Sequence, residues 1–187
     1  MIVFDFCGVL GEWPTPADRA GLERLAGRAG EEFWADYWCH RPPYDIGALT
    51  DEEYWARVAP AASVSALVEA DTAAWVRLRP EALTLVDQLP GPKAILSNAP
   101  ARLAHAIDTA PWAGRFAHRV FSADVGVAKP HARAYRALCE RLGTAPDEIV
   151  FVDDRLENVV AAEAEGLRAV HFTDFPTLKT ALRTVLR

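Results

Sequence analysis

Three acidic side chains follow two short apolar segments that lie far apart in the sequence. Asp5 follows the apolar residues 1–4, and Asp153 and Asp154 follow the apolar segment 149–152. If both segments are buried parallel strands, their carboxyl ends meet at one edge of the sheet and bring the three carboxylates together. Neighbouring carboxylates repel one another unless a proton or a cation compensates their charge. A hard divalent cation with oxygen ligands, such as Mg²⁺, is therefore expected at this edge.

Length and composition are those of one globular domain, or of one domain with a modest insertion. The chain has 187 residues, of which 51% are hydrophobic and 25% are charged, so it can bury a full core. A net charge of −6 argues against nucleic acids and anionic membranes as partners, because both require basic surfaces. No apolar stretch is long enough for a membrane span, and the first residues lack the basic leader of a signal peptide. Three cysteines at unrelated spacings, with no C-x-x-C, favour reduced thiols and a cytoplasmic location.

From residue 91 onward, apolar strands alternate with amphipathic helices. Such alternation is typical of βαβ units and predicts an α/β fold with a doubly wound parallel sheet. The predicted strands cover residues 93–97, 119–122, 149–152 and 169–172, and the predicted helices cover residues 100–108, 131–142, 156–165 and 176–186.

Residues 11–90 contain almost no strand signal and are expected to form helices. Thr50 and Glu53 have the spacing of a capping box, in which each side chain bonds the backbone N–H of the other residue. The predicted helices cover residues 17–29, 31–40, 51–58, 63–77 and 81–89. The segment is therefore expected to be a small all-helical cap domain inserted after the first strand. We place the α/β core at residues 1–11 and 89–187, and the cap at residues 12–88.

Four short motifs occur in the order typical of the haloacid dehalogenase (HAD) superfamily, and the chain resembles that superfamily along essentially its whole length. The motifs are DFCGVL at 5–10, ILSN at 95–98, KP at 129–130 and FVDDRLEN at 151–158. Each motif lies at the end of a predicted strand or at the start of a predicted helix. The helical insertion also falls where this family places its first type of cap. The resemblance implies a Rossmann-like core, a phosphatase-like hydrolase and Mg²⁺ as the cofactor.

The resemblance also implies a role for each motif residue. Asp5 is expected to be a nucleophile that forms a covalent intermediate, and Ser97 and Lys129 to be catalytic groups that hold and neutralise the transferring group. Asn158 is expected either to hydrogen-bond Lys129 or the metal shell, or to be a polar residue at a helix start. The expected metal ligands are Asp5, the backbone carbonyl of Cys7, Asp153 and Asp154. The expected substrate-binding residues are Asn98, Cys7 and Gly8.

Cys7 departs from the pattern of HAD phosphatases, which have a second Asp two residues after the nucleophile. In those enzymes this Asp protonates the leaving alcohol and then activates water. A thiol, with an ordinary pKa of about 8.5, is a poor replacement, and the loss of a positioned acid/base group costs about 10²–10⁴-fold in rate. We therefore expect weak activity on alkyl phosphates and a smaller effect on aryl or acyl phosphates. Cys7 itself is expected to be a small residue packed under the site.

The lead hypothesis is a cytoplasmic, Mg²⁺-dependent HAD-type hydrolase that acts on a small phosphorylated metabolite. One alternative is a HAD relative that binds a ligand or a protein without turnover, and Cys7 is the feature in its favour. Another alternative is a hydrolase of the haloacid dehalogenase type, because halide leaves without a proton. The paired acids Asp153 and Asp154 argue against dehalogenation, since haloacid dehalogenases work without a metal.

The cap is rich in aromatic side chains, which carry large burial energies. They are Phe33, Trp34, Tyr37, Trp38, Trp55 and Trp75. The first four fall on one helical face, and the set is expected to form the core of a small helical bundle. In an alternative interpretation, one or two of these rings line an entrance that selects an apolar or planar substrate. Arg41, which follows the aromatic helix, is expected at the surface, although it could reach an anionic group on a substrate.

Overall fold

The computed structural model describes residues 1–186 and contains a parallel sheet of five strands. The strands are β1 (Ile2–Phe4), β2 (Lys93–Ser97), β3 (His118–Phe121), β4 (Val150–Asp153) and β5 (Arg168–His171). Their order across the sheet is β3-β2-β1-β4-β5, and each neighbouring pair is parallel. The chain thus begins at the centre of the sheet and extends it first towards one edge and then towards the other. The predicted doubly wound α/β fold is confirmed.

Ten α-helices accompany this sheet in residues 1–186. They are α1 (Pro16–Ala26), α2 (Gly30–Asp45), α3 (Asp51–Val58), α4 (Val64–Trp75), α5 (Pro80–Gln88), α6 (Ala101–Asp108), α7 (Ser122–Val125), α8 (Ala132–Leu142), α9 (Leu156–Ala164) and α10 (Phe175–Val185). Most predicted boundaries lie within three residues of these. The largest difference is in α2, which was predicted to end at residue 40 but continues through Pro42 and Pro43 to Asp45. None of the helices in this part of the chain combines the length and apolarity needed to cross a bilayer.

The two faces of the sheet bury different side chains, because successive residues of a strand point to opposite faces. In β1, Ile2 and Phe4 pack into one hydrophobic layer and Val3 packs into the other. The first layer contains residues of α5, α6 and α10, and the second contains residues of α8 and α9. The sheet is therefore covered by helices on both faces, as parallel sheets require.

Helices α1 to α4 form a separate hydrophobic cluster beside the sheet. Its members include Leu22 from α1, Tyr37 from α2, Trp55 from α3 and Leu67 from α4. The predicted capping box is present at the start of α3, where Thr50 accepts from the backbone N–H of Glu53 and Glu53 accepts from that of Thr50. The insertion is thus a small helical unit with its own core.

The chain enters and leaves the cap at one place, where the two connecting segments run side by side. Glu12 N donates to Arg77 O at 2.9 Å, and Arg79 N donates to Leu10 O at 2.9 Å. The next helix, α5, packs with the core layer through Leu85 and neighbouring residues, not with the cap cluster. We therefore propose that the cap spans residues 12–78, shorter than the 12–88 expected from the sequence.

Candidate active site

The carboxyl edge of the sheet contains a small cavity that core and cap residues line together. We call it the edge cavity, and its volume is about 140 Å³. On the core side it is lined by Asp5, Cys7, Ser97, Asn98, Lys129 and Asp154, and on the cap side by Trp13, Trp38, Arg41, Asp45 and Trp75. Asp5 follows β1 and Ser97 ends β2, so neighbouring central strands deliver both residues. The residues predicted from four separate motifs therefore meet in one place.

Lys129 is the cation at the centre of the acidic cluster. Its Nζ lies 2.8 Å from Asp5 Oδ1 and 2.7 Å from Asp153 Oδ2, and its side chain is almost fully buried. Burial alone would lower the pKa of Lys129, but the neighbouring charges of Asp5 and Asp153 outweigh that effect and raise it. Lys129 is therefore a permanent positive charge that links two of the three predicted metal acids.

Asp153 is held by hydrogen bonds on several sides at the end of β4. Asn158 Nδ2 donates to both of its carboxylate oxygens, at 2.9 Å and 3.0 Å, and Arg155 N donates to Oδ1 at 2.9 Å. Asn158 thus contacts Asp153, a member of the expected metal shell. Asp154 differs, because its Oδ1 is buried and has no hydrogen-bond partner among residues 1–186. Asp153 is oriented by the protein, whereas Asp154 retains an oxygen for a ligand.

The three carboxylates carry more negative charge than Lys129 neutralises. Asp5, Asp153 and Asp154 each present an oxygen within 4.8 Å of the others. Burial raises the pKa of Asp5 to about 7; Lys129 opposes this shift and Asp153 adds to it. Burial, together with the charge of Asp153, also raises the pKa of Asp154. An oxygen-ligated divalent cation fits this arrangement, since it would supply the missing charge and a partner for Asp154 Oδ1.

Gly8 permits the close approach between the first and fourth motifs. Its φ of +91° lies in the left-handed region that favours glycine. A Cβ atom at Gly8 would lie 2.1 Å from Asp154 Oδ2, well inside van der Waals contact. The position therefore requires glycine both for its backbone conformation and for the space that the carboxylate of Asp154 occupies.

Ser97 and Asn98 behave differently although they are adjacent in the sequence. Ser97 Oγ is buried and has no hydrogen-bond partner in the described part of the chain, so its hydroxyl is available to a ligand. The side chain of Asn98 is already engaged, because Nδ2 donates to Lys129 O and Oδ1 accepts from Lys129 N, both at 2.9 Å. Asn98 therefore holds the backbone of Lys129 in place, a role that the sequence did not indicate.

Cys7 lines the edge cavity and packs against the core layer, with its side chain partly buried. Burial raises the pKa of the Cys7 thiol well above its usual range, and the charge of Asp5 raises it further. The thiol therefore stays protonated near neutral pH. Neither a thiolate nucleophile nor a carboxylic acid is present two residues after Asp5.

The prediction that Arg41 lies at the surface is wrong. Arg41 is only 5% exposed and is one of the residues that line the edge cavity. Its Nε donates to Asp45 Oδ1 at 2.6 Å, and its Nη1 donates to Asp71 Oδ2 at 3.2 Å and to the Tyr37 hydroxyl. Burial alone would lower the pKa of Arg41, but Tyr37, Asp45 and Asp71 outweigh it and raise the pKa. The i,i+4 spacing of Arg41 and Asp45 was the available sequence signal, whereas Asp71 lies on another helix.

The aromatic side chains of the cap divide between its core and the edge cavity. Phe33, Tyr37 and Trp55 are buried in the cap cluster, as the bundle-core interpretation expects. Trp38 and Trp75 instead line the edge cavity, which agrees with the alternative of an aromatic entrance. Trp13, in the segment that enters the cap, joins them there and was missed in the sequence. The signal that could have identified it is a Trp in the short segment between the first strand and the first predicted cap helix.

Comparisons with known proteins agree with this fold. A family model described as haloacid dehalogenase-like hydrolase matches residues 1–166. The sesquiterpene phosphatase astK of Aspergillus oryzae is 27% identical over 92% of this chain and 89% of its own length.

Solved structures of HAD enzymes superpose along almost the whole chain. A HAD family enzyme from Bacteroides thetaiotaomicron has a TM-score of 0.80 at 19% identity, covering 95% of this chain and 97% of that one. Its complex with magnesium and inorganic phosphate has a TM-score of 0.77. An L-2-haloacid dehalogenase from Xanthobacter autotrophicus has a TM-score of 0.71 at 21% identity, covering 99% and 82%.

The family model spans most of the chain, including the first strand, the helical insertion and all four motifs. The family resemblance noted in the sequence is therefore confirmed. This chain is a hydrolase and belongs to the haloacid dehalogenase-like hydrolase family.

Proposed function

We propose that this hydrolase is a Mg²⁺-dependent phosphatase that transfers the phosphoryl group of a small phosphorylated molecule to Asp5. The observation that carries the proposal is the arrangement around Asp5. Its carboxylate lies 2.8 Å from Lys129 Nζ, in a cavity that also offers the Ser97 hydroxyl and Asp154 Oδ1, both without a hydrogen-bond partner among residues 1–186. A donor, a fixed cation and a free carboxylate oxygen are the groups that phosphoryl transfer requires. The likeness to a phosphatase relative supports the same reaction.

The residues that would hold Mg²⁺ are Asp5, Asp154 and the backbone carbonyl of Cys7, with Asp153 behind them. When bound, the ion would offset the carboxylate charge and polarise the phosphoryl oxygens. Asp153 would act by fixing Lys129 and the geometry of the acidic cluster, because Lys129 and Asn158 already occupy its oxygens. Gly8 contributes the space that allows Asp154 to approach.

In the proposed reaction an oxygen of Asp5 attacks the phosphorus atom. An O–P bond forms to Asp5, the ester O–P bond breaks, and the leaving oxygen takes the electron pair. Phe6 N and Lys129 Nζ both contact Asp5 Oδ1, at 2.6 Å and 2.8 Å, so neither contact holds the second oxygen, Oδ2. Ser97 would donate its hydroxyl to a phosphoryl oxygen. Water then attacks the aspartyl phosphate, which releases inorganic phosphate and restores the carboxylate.

Cys7 determines which phosphate esters would be hydrolysed well. The leaving oxygen of an alkyl ester needs a proton, and a thiol whose pKa is raised by burial supplies it poorly. A leaving group that is stable as an anion needs no such proton. We therefore expect aryl and acyl phosphates to be better substrates than alkyl phosphates of the same size.

A phosphatase assay with p-nitrophenyl phosphate tests this proposal. We expect hydrolysis with Mg²⁺, loss of activity in EDTA, and loss of activity in Asp5→Asn. Asp87→Asn is the matched control, because it removes a carboxylate that is exposed on the core surface. Hydrolysis by Asp5→Asn at the wild-type rate would contradict the role of Asp5, provided that the preparation is free of other phosphatases.

Assays of the wild-type protein with Mg²⁺ and with EDTA also distinguish a phosphatase from the two alternative functions. A haloacid dehalogenase would release halide from a small haloacid and would keep its activity in EDTA. A binding protein without turnover would show neither reaction. The close grouping of Asp5, Asp153 and Asp154 favours the metal-dependent phosphatase, since three adjacent carboxylates beside one lysine leave negative charge that a divalent cation would compensate.

A further inference from the structure

A second cavity lies in the cap, and most of its walls are apolar. We call it the tryptophan cavity, and its volume is about 250 Å³. Its lining includes Trp13, Trp34, Trp38, Trp75, Ala70 and Ala74. Apolar and aromatic walls with few polar groups are typical of sites for small organic ligands.

The tryptophan cavity adjoins the edge cavity, because Trp13, Trp38 and Trp75 line both. The ring centroids of Trp13 and Trp75 are 5.4 Å apart, and those of Trp38 and Trp75 are 6.1 Å apart. Both pairs are packed edge to face. A ligand that reaches Asp5 through the cap side of the edge cavity therefore passes these indole rings. The two cavities therefore share part of their walls, although most of the residues that line the edge cavity are polar and most of those that line the tryptophan cavity are apolar.

Two of the shared tryptophans are unusually exposed. Trp13, which precedes α1, is 50% exposed. Trp38 is 43% exposed, whereas the other aromatic residues of its helix, α2, are mostly buried. Neither ring belongs to the hydrophobic cluster that holds the cap together. Large exposed apolar side chains gathered around one opening mark a binding surface.

The two carboxylates that line the tryptophan cavity, Asp18 and Asp71, already have hydrogen-bond partners. Arg77 Nη2 donates to Asp18 Oδ2 at 2.6 Å, and Tyr37 donates to Asp71 Oδ1 at 2.7 Å. The guanidinium of Arg19 lies 4.9 Å from the centre of the Trp34 ring. With both carboxylates engaged and mostly apolar walls, the cavity favours an apolar occupant.

We propose that the tryptophan cavity holds the apolar alcohol portion of the substrate, so that the substrate is the phosphate ester of a hydrophobic alcohol. This inference rests on the proposed phosphatase function and adds the substrate class to it. The phosphoryl group lies in the edge cavity near Asp5, and the hydrocarbon part of the alcohol lies along the tryptophans that the two cavities share. When the ester O–P bond breaks, the phosphoryl group is transferred to Asp5. The leaving oxygen takes a proton from water, and the free alcohol departs from the tryptophan cavity.

Competition against p-nitrophenyl phosphate tests the proposal without relying on the turnover of alkyl esters. Butyl, hexyl, octyl and decyl phosphate are added to the wild-type protein with Mg²⁺, each below its micelle concentration. We expect the inhibition constant to fall roughly four-fold for each methylene that enters the cavity, and then to level off when the cavity is full. Inhibition constants that do not change with chain length would overturn the proposal.

Variants on one helix connect this chain-length dependence to the cavity. Ala70 lines the tryptophan cavity, whereas the exposed Ala73 on the same helix does not. We expect Ala70→Phe to fill the cavity and abolish the dependence, and Ala73→Phe to retain it. Trp38→Ala, which removes an exposed wall, provides a second variant if Ala70→Phe does not fold, and should weaken the dependence. A wild-type dependence in both Ala70→Phe and Trp38→Ala would overturn the assignment.

The intrinsic tryptophan fluorescence separates a failure of this inference from a failure of the proposed function. If the wild-type protein does not hydrolyse p-nitrophenyl phosphate, the phosphatase function fails. Titration with octyl and butyl phosphate then still reports binding beside the shared tryptophans. A lower dissociation constant for octyl phosphate than for butyl phosphate supports the apolar site, and equal dissociation constants contradict it.

Discussion

The backbone of Gly8 is packed directly against the carboxylate of Asp154, so that a methyl group at Gly8 would lie 2.1 Å from Asp154 Oδ2. The two residues are far apart in the sequence and belong to different motifs. Their contact shows that the loop after β1 and the end of β4 are fitted to each other at the candidate metal site. Any side chain at position 8 must displace the carboxylate.

We expect Gly8→Ala to weaken Mg²⁺ binding by about 10–100-fold, the loss typical when groups that position metal ligands are altered. The methyl group would move Asp154, and the positive φ would add a cost of about 1 kcal/mol to folding. Isothermal titration with Mg²⁺ measures the affinity, and urea unfolding measures the stability.

Gly143→Ala is the matched control for Gly8→Ala. Gly143 also has a positive φ, but a Cβ atom there would meet no atom of residues 1–186 within 4 Å. We expect a similar backbone cost and unchanged Mg²⁺ affinity. Equal Mg²⁺ affinities for Gly8→Ala and the wild type would show that Asp154 does not need its present position.

The stability of the metal-free protein should depend on pH through Asp5. Its pKa is raised from 3.8 to about 7 by burial. Below about pH 4 the carboxyl is protonated in both the folded and the unfolded states, so its full contribution to stability is present. As the pH rises to about 7, the unfolded state loses the proton first and that contribution is lost.

We therefore expect Asp5→Asn to become more stable than the wild type as the pH rises, by up to a few kcal/mol. Urea unfolding in EDTA measures this difference. Saturating Mg²⁺ should reduce it, because binding to the ionised carboxylates stabilises the folded wild type. Asp87→Asn, at an exposed position, should show no such trend. A difference that is the same at acidic and neutral pH would argue against a destabilising charge at Asp5.

Replacing Cys7 by Asp should restore a proton donor beside the leaving oxygen. We expect Cys7→Asp to raise turnover of alkyl phosphates by about 10²–10⁴-fold and that of p-nitrophenyl phosphate by less. A plot of rate against leaving-group pKa should therefore be steep for the wild type and flatter for the variant. Cys7→Ser, of similar size but without a carboxyl group, should keep the steep slope. Equal slopes for Cys7→Asp and Cys7→Ser would mean that position 7 does not act on the leaving group.

Removing Arg41 should destabilise the cap more than removing an exposed arginine does. Arg41→Met leaves the buried Asp71 and the half-buried Asp45 without their cation, and breaking a buried pair typically costs about 3–5 kcal/mol. Arg136→Met, which breaks an exposed ion pair with Glu165, is the control and should change stability little.

A double-mutant cycle gives a sharper test of the Arg41 network. If the loss comes from unpaired buried charge, Asp71→Asn should recover part of the stability lost in Arg41→Met. If the changes in the free energy of unfolding caused by the two substitutions simply add, the stability lost in Arg41→Met comes from packing and not from unpaired charge.

The core was predictable because its signals are local. Each strand is a short apolar run, and Asp5 and Ser97 stand at the ends of such runs. A parallel sheet necessarily brings those ends to one edge, so the meeting of the motif residues could be expected before the structure was known. The helix α2 was predicted too short because Pro42 and Pro43 normally interrupt a helix, yet the helix continues to Asp45.

The environment of Arg41 could not be predicted in the same way. Arg41 follows the aromatic helix that was predicted to end at residue 40, where an arginine was expected at the surface, and its partner Asp71 is thirty positions away on α4. The pairing exists because α2 and α4 pack together through the cap cluster. The use of the Asn98 amide to hold the backbone of Lys129 is likewise a contact between distant segments.

By itself, the amino-acid sequence determined the α/β fold with its helical insertion, the carboxylates at the sheet edge and the absence of an acid at Cys7. These features follow from residue type, periodicity and order along the chain. Only the tertiary structure decided that Arg41 is buried, that Gly8 makes room for Asp154, and that Trp13, Trp38 and Trp75 join a polar cavity to an apolar one. All three properties depend on contacts between residues distant in the sequence: Arg41 is paired within the cap, Gly8 meets Asp154 within the core, and the edge cavity is lined by cap and core together. Residue type and periodicity do not determine which distant residues come into contact.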